Sequence, residues 1–95
     1  MRVADANLEP KGYQQLTVSS TAVGLTVPAG AKSAIFKLND ANLLRWRDDG
    51  TDPTASVGMP LPDQADEFFY TGKLARIKFI RSGGTDAVLN ISYYA

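Results

Sequence analysis

From Tyr13 onward, turn signals interrupt the chain at short and regular intervals: Pro28-Ala29-Gly30, Asn39-Asp40-Ala41-Asn42, Asp48-Asp49-Gly50-Thr51-Asp52-Pro53, Gly58 to Asp63, Thr71-Gly72-Lys73 and Ser82-Gly83-Gly84. Spacing this tight leaves no room for a helix of useful length. The intervening runs are rich in Val, Ile, Leu, Phe, Tyr and Thr, which suit a pleated, half-buried surface. They alternate with period two. Leu16 and Val18 oppose Gln15, Thr17 and Ser19; Ala34, Phe36 and Leu38 oppose Ser33, Ile35 and Lys37; Leu44 and Trp46 oppose Arg45 and Arg47. Ala75, Ile77 and Phe79 oppose Arg76 and Lys78, and Leu89, Ile91 and Tyr93 oppose Asn90 and Ser92. Runs with one consistent apolar side bury it best when two sheets pack face to face. Val23 to Val27 and Phe68 to Tyr70 add two shorter runs. The best helix candidates, residues 40–46 and 63–69, are about two turns each, and isolated helices of that length are marginal in water.

The expected fold class is therefore all-β: a small single-domain β-sandwich, jelly-roll or related Greek-key, with an extended N-terminal arm. With 95 residues, of which 44% are apolar, there is room for one domain. Residues 1–12, with Pro10, Gly12 and few large apolar side chains, read as the arm, and residues 13–95 as the sandwich. No stretch has the apolar run of a secretory signal or a membrane span, so the expected place of synthesis is a cytosol.

The chain has no cysteine and no histidine. Disulfides, thiolate catalysis, Cys/His zinc sites and imidazole-dependent triads are excluded with them. Ser56, Ser82 and Ser92 have no imidazole to activate them. Asp66 and Glu67 are adjacent, and on a strand they point to opposite faces instead of forming the facing pair of a glycosidase. Asp48-Asp49-Gly50-Thr51-Asp52 offers three carboxylates around a glycine turn. It lacks the later bidentate acid of a calcium loop, so the expected metal and cofactor content is none. The expectation is that the protein is not an enzyme.

Ten basic and ten acidic residues cancel, which argues against bulk affinity for nucleic acid or anionic membrane. The zero hides a segregation. Lys37, Arg45, Arg47, Arg76 and Lys78 fall at outward strand positions, whereas most acids fall in turns. Outward cations can simply protect strand edges, or they can form a basic face that docks on an acidic partner. Trp46, with Tyr13, Tyr70, Tyr93 and Tyr94, raises the alternative of a carbohydrate platform, although Trp46 shares its face with Leu44. Ile35, Leu43, Phe69, Ile80, Val88 and Tyr94 break the apolar alternation and cannot all face one core. A chain of this size buries only about 60–65% of its unfolded surface. Leftover apolar positions of this kind point to self-association.

The segments Leu43-Leu44-Arg45-Trp46-Arg47-Asp48-Asp49-Gly50-Thr51-Asp52-Pro53-Thr54-Ala55-Ser56-Val57-Gly58-Met59-Pro60-Leu61, Leu74-Ala75-Arg76-Ile77-Lys78-Phe79-Ile80 and Ala87-Val88-Leu89-Asn90-Ile91-Ser92-Tyr93-Tyr94 together resemble small β-sandwich virion-associated proteins of tailed bacteriophages and prophages. The likeness spans residues 33–95. It implies a virion structural protein made in the host cytoplasm, most simply a capsid decoration or cement protein that binds the major capsid protein or other virion proteins. A homo-oligomer, with a trimer as one form, is implied too. A tail or head-tail accessory protein, a carbohydrate- or receptor-binding module, and a host-takeover protein absent from particles are the alternatives. The partner-contact candidates are Arg45, Arg47, Arg76, Lys78, Phe69 and Tyr94.

Overall fold

The computed structural model describes residues 8–61 and 66–95, and among them every regular element is a strand. In chain order these are β1 (Pro10–Val18), β2 (Val23–Gly24), β3 (Ser33–Leu38), β4 (Leu44–Arg47), β5 (Met59–Pro60), β6 (Phe68–Tyr70), β7 (Lys78–Arg81) and β8 (Ala87–Tyr94). They form two four-stranded sheets, sheet A with the order β1-β8-β3-β6 and sheet B with the order β2-β7-β4-β5. Every described pairing is antiparallel. The pairs nest: β1 with β8, β2 with β7, β3 with β6 and β4 with β5, as if one long hairpin had been wrapped on itself. The wrapping adds β3·β8 and β4·β7 and splits the hairpin between the two layers.

The alternation in the sequence decides which side of each sheet is dry. Ala34, Phe36 and Leu38 of β3 and Ala87, Leu89, Ile91 and Tyr93 of β8 are all buried in the core cluster, with Leu44 and Phe79 from sheet B. Aromatic rings fill the middle: Phe36 lies 5.6 Å from Tyr70 in a stacked arrangement and 5.3 Å from Phe79 edge-on. Leu61, Leu74 and Ile77, outside the strands, close the ends.

Two expectations move. Residues 10–12, expected in the extended arm, are part of β1 in sheet A, with Pro10 and Gly12 in register with Tyr94 and Tyr93, and Glu9 just before it exchanges N–H···O bonds of 2.7 and 2.9 Å with Ala95. The backbone of an edge strand gains a partner there that Pro10 and Gly12 do not forbid, a bulge at Pro10/Gly12 taking up the irregularity. Residues 1–7, the rest of the expected arm, lie outside the described residues. The segment expected to run as a strand from Ala75 instead makes a turn at residues 74–76 and enters β7 at Lys78, which leaves Ala75 exposed. The first helix candidate is a bend followed by β4, since the half-buried indole and guanidinium side chains of Trp46 and Arg47 alternate across the sheet. Part of the second candidate lies outside the described residues, and its end is β6.

The core holds two phenols. Tyr93 is fully buried and donates to Gln14 Oε1 at 2.7 Å; the same oxygen accepts the Thr26 N–H at 3.2 Å. Burial pushes the Tyr93 phenol up to about 12. Tyr70 is raised further, by burial first and then by its 2.6 Å hydrogen bond to the Asp48 carboxylate. A phenol held neutral by the fold supports stability in full below its unfolded value of about 10, and that support is lost as pH rises from about 10 towards 12. Melting temperature should therefore hold level on this account to about pH 10 and then fall, with tyrosinate absorbance rising as the fold is lost. In Tyr93→Phe the alkaline decline should be shallower, and removal of the hydrogen bond should lower stability at neutral pH by about 1 kcal/mol.

Candidate functional site

The register sorts the expected contact residues onto two faces. On sheet B, Arg45 lies across from Ile80 and Arg47 from Lys78, so Arg45, Arg47 and Lys78 share the outer face. Arg76 stands beside it in the turn before β7, where a Cβ added at Gly50 would meet its Nη2 at 2.8 Å. Lys37, the fifth outward cation, is on the other sheet. The five therefore do not share one face.

The cations on sheet B are engaged within the chain. Arg47 holds Asp49 with two hydrogen bonds, Nε to Oδ1 at 3.0 Å and Nη2 to Oδ2 at 2.5 Å. That hydrogen bonding keeps the Asp49 carboxyl down at about 2. Lys78 pairs with Asp52 at 3.6 Å. Arg45 donates to the carbonyls of Ala55 at 3.2 Å and Gly58 at 2.9 Å, pinning the loop that connects β4 to β5. The acidic turn after β4 is thus engaged by the fold itself: Asp49 receives Arg47 and Asp52 receives Lys78 on sheet B, while Asp48 receives Tyr70 from β6 of sheet A. Among the described residues no group of three or more carboxylates could hold a metal ion.

Sheet A presents a different outer face. Tyr13, Gln15 and Thr17 of β1 stand in rows with Ser92, Asn90 and Val88 of β8, and those continue to Ile35 and Lys37 of β3, with Tyr94 beside Ser33 and Phe69 beside Ile35. Tyr13 is 65% exposed, whereas Ile35, flanked by Phe69 and Ser92, is only 6% exposed despite its outward position. Polar side chains here are tied to one another: Asn90 Oδ1 accepts the Tyr13 hydroxyl at 2.5 Å and Gln15 Nε2 at 3.2 Å, and Ser92 donates to the Tyr94 hydroxyl at 3.1 Å. The result is a tyrosine-bearing face already hydrogen-bonded within itself, with Lys37 in the row of Asn90. Phe69 and Tyr94 fall here, well apart from the arginines they were grouped with.

A third feature was not legible in the sequence. An open cavity of about 550 Å³ runs beside edge strand β5, lined by Trp46, Arg47, Asp48, Asp49, Val57, Gly58 and Met59. Trp46 reaches it while stacking on Phe68 at 5.6 Å, so this residue belongs to both core and surface. Val57 and Met59 are more than half exposed at its rim. Their place beside Trp46 follows from β5, whose two residues lie in a stretch that reads as a turn.

Among the described residues no helix is long and apolar enough to cross a membrane. No family model, curated protein or solved structure matches the chain.

Proposed function

We propose that this protein is a virion structural protein of the tailed-bacteriophage type: a jelly roll that decorates or cements the head shell through protein–protein contact, with no bond-making chemistry of its own. The observation that carries the reading is the strand order. Orders β1-β8-β3-β6 and β2-β7-β4-β5, with their nested pairs, support the reading of a long hairpin wound into two sheets, the jelly-roll arrangement used by viral capsid domains and lectins. The step from that fold to a shell role is by analogy, joined to the resemblance of residues 33–95. Contact is assigned to the outer face of sheet A, where Tyr13, Phe69 and Tyr94 stand. Tyrosine-rich surfaces suit interfaces because the ring offers large apolar area with a polar end. Pre-formed hydrogen bonds on this face lower the entropy lost on docking.

The test is mass spectrometry of purified particles: the chain should be present at shell-like copy number, and its absence sinks the proposal. Replacing Arg45, Arg47, Arg76 and Lys78 together by Gln should leave occupancy within about twofold; the exposed Arg47–Asp49 and Lys78–Asp52 pairs contribute about 0–1 kcal/mol each, and losing the Arg45 bonds to the β4–β5 loop should cost about 1–3 kcal/mol more. Tyr94→Glu should reduce occupancy at least tenfold. A salt-dependent loss in the Gln variant instead would move the contact to sheet B.

The cavity beside β5 favours one second reading, a saccharide site with the Trp46 indole as platform and Arg47 and Asp49 as polar partners. Because Trp46 is the single tryptophan, its emission reports that site alone. Unchanged emission across a glycan panel removes this reading.

A further inference from the structure

Three of the four sheet edges are blunted by being short: β2 (Val23–Gly24) and β5 (Met59–Pro60) in sheet B and β6 (Phe68–Tyr70) in sheet A. The fourth is β1, nine residues long and, among the described residues, paired on one side only, with β8. A long edge strand normally carries charges, proline or a bulge to block strand addition. Here those devices sit at one end: Pro10, the bulge at Pro10/Gly12 and the Lys11–Glu9 ion pair. Residues 12–18, Gly-Tyr-Gln-Gln-Leu-Thr-Val, contain no charge and no proline.

Ladder phase shows which backbone groups this edge offers. Asn39 N–H donates to the Val88 carbonyl at 2.8 Å, one step beyond the Leu38↔Leu89 pair. Val88, Asn90, Ser92 and Tyr94 therefore turn their N–H and C=O groups towards β3, because successive residues of a strand point them to opposite sides. Leu89, Ile91 and Tyr93 turn theirs towards β1, in phase with the two bonds between Ala95 and Glu9. Their opposite numbers on β1 are Leu16, Gln14 and Gly12. Tyr13, Gln15 and Thr17 are left with N–H and C=O aimed away from β8, at the open edge.

We infer that β1 is a dimerisation strand whose partner is the β1 of a second copy of this chain, running antiparallel about a twofold axis at Gln15. In that register Gln15 faces Gln15 of the partner subunit and Tyr13 faces Thr17 of the partner subunit. Each of these pairs joins residues whose backbone groups are free on both sides, and each closes two N–H···O bonds. The period-two faces also agree: Tyr13, Gln15 and Thr17 all lie on the outer face, so the two copies of sheet A continue without a flip. A strand that completes itself in this way makes an isologous contact, which closes at two copies and does not propagate. Tyr–Thr across the seam is a favourable cross-strand pair, and no like charges meet. The inference goes beyond the virion reading and stands or falls on the isolated protein, whereas particle occupancy tests the other.

Sedimentation of the purified full chain decides it. A strand seam of this length buries less than the ~1,200 Å² of a standard interface, so the dimer should appear across about 10–500 µM chain. Gln15→Lys and Gln15→Glu each set two like charges face to face on the axis. Each should sediment as a monomer throughout that range, with a melting temperature within a few degrees of wild type, because the exposed side chain gives up only its hydrogen bond to Asn90, worth about 1 kcal/mol. An equimolar mixture of the two should recover the dimer, with dissociation at least tenfold tighter than for either alone. Thr17→Pro removes an N–H that β8 does not use and should also give a monomer. A wild-type chain that stays monomeric to the top of the range, a dimer that survives Gln15→Lys, or a mixture that fails to associate would each overturn the inference.

Discussion

Phe36→Ala is expected to lower stability by about 3–5 kcal/mol, the range for a buried aromatic truncated in a close-packed core. Phe36 is fully buried on the inner face of β3 and is ringed by Phe68, Tyr70 and Phe79 at centroid distances of 5.9, 5.6 and 5.3 Å. Its loss opens a void between the layers at a point where both sheets contribute rings. Domains of this size lose about 4–8 °C of melting temperature per kcal/mol, so the shift should be on the order of 15–30 °C. Denaturant unfolding should show a lower midpoint with an unchanged slope. Phe69→Ala is the control, since it removes the same side chain from the adjacent strand on the opposite face, where Phe69 is half-buried. It should cost less than half as much. If the two substitutions cost the same, the inner and outer faces of sheet A are assigned wrongly.

Gly58→Val should be nearly as damaging, by about 2–5 kcal/mol, through backbone strain joined to overpacking. Gly58 has φ of +146°, a region L side chains rarely adopt, and a Cβ there would lie 3.2 Å from Arg45 Cβ, Pro53 Cβ and the Trp46 carbonyl oxygen. Its carbonyl is also an acceptor for Arg45. Moving this backbone should detach β5 from β4 and change the surroundings of Trp46, so a shift in tryptophan emission should accompany the loss of stability. Gly83→Val, at a site where an added Cβ meets nothing within 4 Å, should change neither. An unshifted Trp46 spectrum in Gly58→Val would show that the loop can yield without disturbing the cavity.

The alternation was legible because one face of each strand is dry. Phe36, Leu89, Ile91 and Tyr93 sit where a period of two puts them, and the turn signals bracket β3, β4 and β8 closely. Sheet membership was not legible, because Lys37 and Arg45 look alike along the chain and part company only when β3 pairs with β8 and β4 with β7. Tertiary context also overrode local signals at both ends of the reading. Pro10 and Gly12 suggest a loose segment, yet β8 supplies a ladder for them. Arg76 continues an apparent alternation, yet Ile77 is buried from a turn and not from a strand. The basic face looked available for an acidic partner because opposite charges distant in sequence, Asp52 and Lys78 for example, cannot be matched before the fold is known. Gln14 gives no sequence signal at all; its role as acceptor for both Tyr93 and Thr26 depends on the sandwich being closed.

The position of β8 has a consequence for biosynthesis. This strand is the last described element, and it lies in the interior of sheet A with β1 on one flank and β3 on the other. A nascent chain emerging from the ribosome can bring β4 to β7, but β1 and β3 have nothing to bridge them until the segment from Ala87 to Tyr94 has cleared the exit tunnel. Closure of one whole layer therefore waits for translation to pass Tyr94, and β1 spends that interval with both of its sides open.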